Sequence, residues 1–315
     1  MTGSRQGAGS PDSPREQARE TALRRPAVPL ALLALYLIWG STYLAIRIAV
    51  ETVPPFLMSG ARFLVAGIVL FVFLRVRGAP VPTLRQWMGA GMVGALLLAG
   101  GNGLVGFAEQ DVASGLAALL IATVPIWSAL FARLWGVGTN RLEVAGLLLG
   151  LAGVGLLNLG SGLQGHPLAA LVLLLAACSW AFGSVWSRHL PLPPGMMASA
   201  TEMLVGGALM VAVGVVRGEH LPAAPSAASL WAMLYLVAVG SLIAYSAYTY
   251  LLRTVRPALA TSYAYVNPVV AILLGALLAG ERVTPLEVVA LAVILAAVAL
   301  VILGRERVGS PTLTR

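Results

Sequence analysis

The chain has 315 residues, of which 59% are hydrophobic and only 10% charged, with a net charge of +8. Soluble domains carry about 25% charged residues, so an ordinary soluble domain is excluded. All twenty basic residues are arginines, and they flank apolar runs in the way membrane topology dictates, which speaks for a lipid bilayer and against nucleic acid as the partner.

Residues 1–28 are rich in Gly, Ser, Arg and Glu and read as a disordered tail. The apolar segment that follows is too long for the core of a signal peptide. From Pro29 onward, runs of roughly 20 apolar residues, enough for a helix to cross about 30 Å of hydrocarbon, fall near 29–50, 55–75, 87–108, 112–135, 142–160, 167–187, 194–216, 229–251, 257–279 and 285–304. The expected fold is an all-α integral membrane protein of ten transmembrane helices. Its short loops leave no room for a soluble catalytic domain. Sixteen arginines fall on the side of the N-terminal tail and three, Arg47, Arg217 and Arg282, on the other. The excess of positive charge predicts that the N-terminus and the tail 305–315 are cytoplasmic.

A repeat runs through these spans. WGSTYLAIR (39–47) and WAFGSVWSR (180–188) both place a tryptophan eight residues before an arginine, Trp39 to Arg47 and Trp180 to Arg188. PPFLMSGARFLVAG (54–67) is echoed by PPGMMASATEMLVGG (193–207). LEVAGLLLGLAGVGLLNL (142–159) is echoed by LEVVALAVILAAVALVIL (286–303). The offset stays between 139 and 144, so residues 29–160 and 165–304 are expected to be two five-helix units. Five crossings are an odd number, so the second unit enters from the opposite side. Two inverted five-helix repeats are an architecture of secondary transporters, with the substrate bound near the midplane.

Two ionisable residues lie deep inside spans, Arg62 in the second and Glu202 in the seventh, within one position of each other in the repeat. Such groups are costly in a bilayer and usually face the bundle interior. Arg62 suits a substrate carboxylate, Glu202 an amine or a proton; local pairing for packing is the bland reading of both. Glu109 and Asp111, at the end of the third span, are further acids. Uncharged candidates for a cavity are Ser41, Thr42 and Tyr43 in the first span, Asn102 in the glycine-dense AGGNGLVG (99–106), Ser184 in the sixth, Tyr245 and Tyr248 in the eighth, and Tyr263 and Asn267 in the ninth. Rings and amides of this kind bind zwitterions or organic cations, or else bridge helices. Pro125 and Pro268 match in the repeat and each removes a backbone hydrogen bond, which predicts kinks or gating positions. Trp39, Arg47, Trp180 and Arg188 are expected as repeat-related interfacial residues, the arginines reaching toward the headgroups. GLLLG (146–150) has the spacing of a close helix contact and suggests a homodimer.

The single cysteine, Cys178, permits no disulfide within the chain. His166, His189 and His220 lie in loops, so no metal site is expected, and there is neither a Walker-type loop nor the mark of a cofactor. An intramembrane enzyme would need a nucleophile–base pair or metal ligands, which the sequence does not offer in recognisable form. A non-transport assembly subunit is the other alternative outside transport.

WGSTYLAIR, the prolines of the fourth and ninth spans, SWAFGSV (179–185), PALATSYAYVNPVVAILLGALLAGE (257–281) and GERVTPLE (280–287) resemble the EamA-type branch of the drug/metabolite transporter superfamily. The resemblance covers residues 30–304. One departure is that GVGTNRLE (136–143) stands where the family often has a Gly-Glu pair, retained here as Gly280 and Glu281. The resemblance implies export or exchange of small metabolites, often amino acids, with spans 1–4 and 6–9 around the cavity and spans 5 and 10 apart, available for dimerisation. A multidrug exporter of aromatic or cationic compounds is the rival within transport.

Overall fold

Helix starts are written into this chain as prolines and small polar residues. The structure is a computed structural model that describes residues 27–108, 117, 120–157, 159, 167–221, 224–279 and 284–304. Both tails, Glu109, Asp111, His166, Gly280 and Glu281, and the side chains of Tyr43 and Arg47 lie outside this description. The helices are α1 (Ala27–Val50), α2 (Pro55–Val76), α3 (Leu84–Ala108), α4 (Val124–Ala132), α5 (Arg141–Leu157), α6 (Pro167–Trp186), α7 (Met196–Val216), α8 (Ala227–Thr254), α9 (Tyr263–Ala279) and α10 (Pro285–Gly304). Among the described residues there is no strand. Six of the helices, α1, α2, α3, α6, α7 and α8, are long and apolar enough to cross a membrane.

Pro55 opens α2 at a position where its missing N–H is no loss. Thr83 and Gln86 cap α3 reciprocally, the Thr83 N–H donating to the Gln86 side chain at 2.9 Å. The Ser226 hydroxyl accepts the Ser229 N–H at the start of α8. The ends of α2 and α7 are alike. Gly78 and Gly218 take φ of 83° and 75°, and the next N–H bonds back five residues, Ala79 to Leu74 at 3.0 Å and Glu219 to Gly214 at 2.9 Å. Glycine takes this left-handed turn without steric cost. The two glycines are 140 residues apart, the repeat offset met again in backbone geometry.

The middles of α3 and α8 also match. Ala95–Gly103 and Leu236–Ile243 are wound as π-helix, their first residues 141 apart. Such wide turns cluster at functional sites. The sequence predicts one helix across 257–279, but a single turn, Pro257–Ala260, precedes α9. The Thr261 and Ser262 hydroxyls donate to the carbonyls of Pro257 and Leu259, at 2.9 and 2.8 Å, giving the backbone a local alternative to a continuous helix.

Helix pairing follows the repeat. α2 lies against α7, and α5 against α10; α1 packs on α8 and α9, while α6 packs on α3 and α4. The α2–α7 crossing is nearly backbone to backbone. A Cβ at Gly207 would stand 2.7 Å from the Leu64 nitrogen, and one at Gly60 2.7 Å from the Val211 nitrogen. Lipid tails are as apolar as leucine, so close approach of small residues, more than hydrophobic exclusion, holds such crossings. Leu30, Leu33 and Leu37 on α1 and Val65, Ile68, Val69, Val72 and Phe73 on α2 are exposed at helical spacing, as a lipid-facing stripe requires. The glycines of GLLLG point inward: Gly146 meets Ala297 and Val301 of α10, and Gly150 meets the Tyr265 ring. That motif is therefore occupied within the chain and carries no argument for a dimer.

Candidate functional site

The repeat-equivalent tryptophans meet near the centre of the bundle. Trp39 and Trp180 are both buried, edge to face, with ring centroids 5.6 Å apart. Each lies on a glycine of a π-helical segment in the other half. Trp180 covers Gly101, where a Cβ would stand 2.5 Å from its ring, and Trp39 donates from Nε1 to the Gly240 carbonyl at 3.2 Å. The sequence places these two among interfacial residues; packing against glycine draws them into the core instead. Tyr263 stands edge-on to Trp39 at 4.7 Å. Tyr248 tilts against both tryptophans and accepts the Trp180 Nε1–H at 2.9 Å.

Above this cluster is a cavity of about 100 Å³, several times the ~10–15 Å³ that one water molecule needs. It lies toward the end of the bundle where α1 and α3 finish and α2 begins, with Ile46, Ser59 and Gly106 along it. Six of the residues singled out in the sequence line it: Trp39, Arg62, Asn102, Trp180, Tyr263 and Asn267. The opposite end is tied shut. Arg188 donates to the Val255 carbonyl, Arg253 to the Pro193 carbonyl at 3.2 Å, and the Arg256–Glu143 ion pair closes at 3.1 Å. Arg188, expected to reach toward the headgroups, is drawn into this closure because the end of α8 offers a free carbonyl.

Arg62 is the charged wall of the cavity. Only 2% of it is exposed, its Nε donates to Ser241 Oγ at 2.8 Å, and its guanidinium lies over the Phe63 ring at 4.5 Å. Its Nη1 has no hydrogen-bond partner. Asn267, also 2% exposed, has no partner for Oδ1. Native proteins pair most buried polar atoms. Here an orphan cationic donor and an orphan amide acceptor line the same cavity, between aromatic walls.

Other expectations fall elsewhere. Ser41 bonds to the Ile38 carbonyl and the Tyr235 hydroxyl, and Thr42 to the Trp39 carbonyl, so neither has its hydroxyl proton left to donate to a ligand. Ser184 is held by the Trp180 carbonyl and the Tyr248 hydroxyl, both at 2.6 Å. Tyr245 donates to Glu202 Oε2 at 2.9 Å, and Ser184, Tyr245, Tyr248 and Glu202 all pack behind the cavity. Pro125 sits in the first turn of α4, where no helical hydrogen bond is lost, so it is a helix start and not a kink. Pro268 lies inside α9 beside Asn267, and there a backbone bond is forfeited. Ser241, which fixes Arg62, escaped the sequence reading: one serine in an apolar run gives no periodic signal.

Comparison with known proteins shows the family of the chain. The EamA-like transporter family matches residues 26–159 and again 167–303. The "Uncharacterized inner membrane transporter YedA" of Escherichia coli K12 is 52% identical over 284 residues, covering 89% of this chain and 93% of that protein. A "Probable terminal-alkyne amino-acid exporter" of Streptantibioticus cattleyicolor is 26% identical, covering 89% and 96%. One protein of known crystal structure superposes with a TM-score of 0.75 at 25% identity, over 90% of this chain and 99% of its own. With two family matches spanning nearly the whole apolar region, the chain is a multi-pass inner-membrane protein that belongs to the EamA-like transporter family.

Proposed function

We propose that this transporter exports or exchanges amino acids and related amphipathic carboxylates by alternating access. The observation that carries the reading is the pair of orphan groups in the cavity, Arg62 Nη1 and Asn267 Oδ1. A carboxylate satisfies the first with a charge-assisted hydrogen bond, and an ammonium group satisfies the second. Trp39, Trp180 and Tyr263 supply apolar ring area for the rest of the molecule. The distant Streptantibioticus relative, named for amino-acid export, points the same way.

The architecture of this reading is ten spans in two inverted five-helix repeats, with both termini cytoplasmic. It draws support from the five apolar runs in each sequence repeat, the arginine distribution, and the matched π-helical segments and glycine turns. In that topology the cavity faces outward, and the Arg188, Arg253 and Arg256 contacts close the cytoplasmic end.

The test is efflux from proteoliposomes loaded with labelled phenylalanine, its decarboxylated amine or its deaminated acid. Phenylalanine is expected to leave fastest. Loss of the carboxylate should slow efflux about 10- to 100-fold, the worth of one charge-assisted hydrogen bond. Faster efflux of the bare amine would favour a multidrug exporter of aromatic cations, the reading that the ring-lined cavity supports once Arg62 is set aside.

A further inference from the structure

Glu202 and the cavity are neighbours that do not touch. The carboxyl group is 1% exposed on α7, accepts the Tyr245 hydroxyl at 2.9 Å, and lines none of the cavity. The helix is clamped at this point: a Cβ at Gly94 of α3 would stand 2.5 Å from the Glu202 carbonyl, and one at Gly206 2.8 Å from the Gly94 carbonyl. Glu202 is closed off from solvent, so a substrate amine has no open path to it in this conformation.

Its charged surroundings come from α2, α3 and α8, the helices packed on α7. From α8, Tyr245 and Arg253 face the carboxyl group. Arg253, however, directs both Nη atoms to the Pro193 carbonyl at 3.2 Å. From α2, Arg62 is committed to Ser241 and the cavity, and Arg75 and Arg77 are exposed; on α3, Arg85 is exposed. Among the described residues Glu202 forms no ion pair. A carboxylate with no counter-ion is strongly disfavoured inside a membrane protein, whereas the neutral acid is accommodated.

A mechanical line joins this group to the cavity. The Tyr245 ring stands edge-on to Phe63 at 6.0 Å, and Phe63 carries the Arg62 guanidinium at 4.5 Å. These contacts place Tyr245 behind the ring that carries the cation lining the cavity. We propose that Glu202 is a proton-binding site, separate from the substrate cavity, through which a proton gradient drives transport. In the opposite-facing conformation the α7–α8 contact opens to water and the acid gives its proton to that water; on return it takes another from the far side before the packing seen here closes around it. The inference rests on the transporter reading above.

Two measurements test it. Infrared difference spectra of the full-length protein between acid and alkaline buffer should show the carbonyl band of a protonated carboxylic acid. The component contributed by Glu202, separated by subtraction from that of the other eleven acids, should be missing in Glu202→Gln, and in Tyr245→Phe the pH at which it appears should shift. In phenylalanine-loaded proteoliposomes, a pH gradient should speed wild-type efflux about 10-fold, and this ratio should fall to one in Glu202→Gln. An unchanged band or an unchanged ratio in Glu202→Gln would overturn the proposal. If Glu202→Gln does not fold, Tyr245→Phe decides it: no shift counts against the site. No flux from the wild type, with the Glu202-dependent band present, would place the failure in the transport reading and uphold the proton site.

Discussion

Arg62 and Glu202 occupy equivalent places in the two repeats, yet their surroundings could hardly differ more. Both are almost fully buried in crossing helices that meet backbone to backbone. Arg62 faces a cavity and keeps one donor open; Glu202 faces a tyrosine and meets only packed side chains and backbone. A duplicated scaffold has thus kept its backbone symmetry while its chemistry has diverged. The shared frame places a polar group at one depth in each half, and neighbouring side chains decide whether it meets a solute.

Removing the cation is the strongest way to break this contrast. Arg62→Ala should reduce kcat/KM for phenylalanine efflux about 10- to 100-fold, because a charge-assisted hydrogen bond is lost from the bound substrate. Arg62→Lys should fail to restore it, since a single ammonium cannot hold Ser241 and a carboxylate in the fork geometry of a guanidinium. Full activity in Arg62→Ala would mean that the open donor serves packing alone.

A smaller effect is expected at the acceptor. Asn267→Leu should raise KM for phenylalanine about 10-fold and leave its deaminated acid little changed, because only the amino group has lost a partner. Equal losses for both compounds would assign Asn267 to cavity shape. The smallest effect belongs to Ser241→Ala. It frees Arg62 Nε without removing the charge, so KM should rise about 5-fold, the worth of about 1 kcal/mol in one hydrogen bond. Efflux kinetics across the three variants give the order directly.

Much of this molecule could be read from its sequence, because bilayer solvation leaves few options. Apolar runs, arginine flanks and the repeat placed the six helices that are long and apolar enough to cross a membrane to within a few residues. Arg62 and Asn267 were legible as candidates for a simple reason: a charge or an amide is conspicuous among aliphatics. What failed was direction. Thr42 and Ser184 lie in the same spans as the two cavity tryptophans, but their hydroxyls turn back to carbonyls of their own helices. The wide turns of α3 and α8 change which residues share a face, so a period of 3.6 misassigns side chains within them. Pro125 looked like a mid-span kink because Thr123, the polar residue at the start of α4, stands alone between apolar stretches and makes no side-chain cap.

The pairing of α5 with α10 also matters for how the chain is made. α5 packs mainly on the last helix, and Asn140 at its start bonds to the Gly304 carbonyl at the far end of α10. At roughly 5–20 residues per second on the ribosome, α5 waits on the order of 10 s for a partner that is synthesised only after α6 to α9. During that interval its glycine stripe is bare to lipid or to whatever insertion factor shelters it. A nascent chain stalled before α10 presents an unmatched helix, a simple mark by which membrane quality control can distinguish an unfinished copy from a complete one.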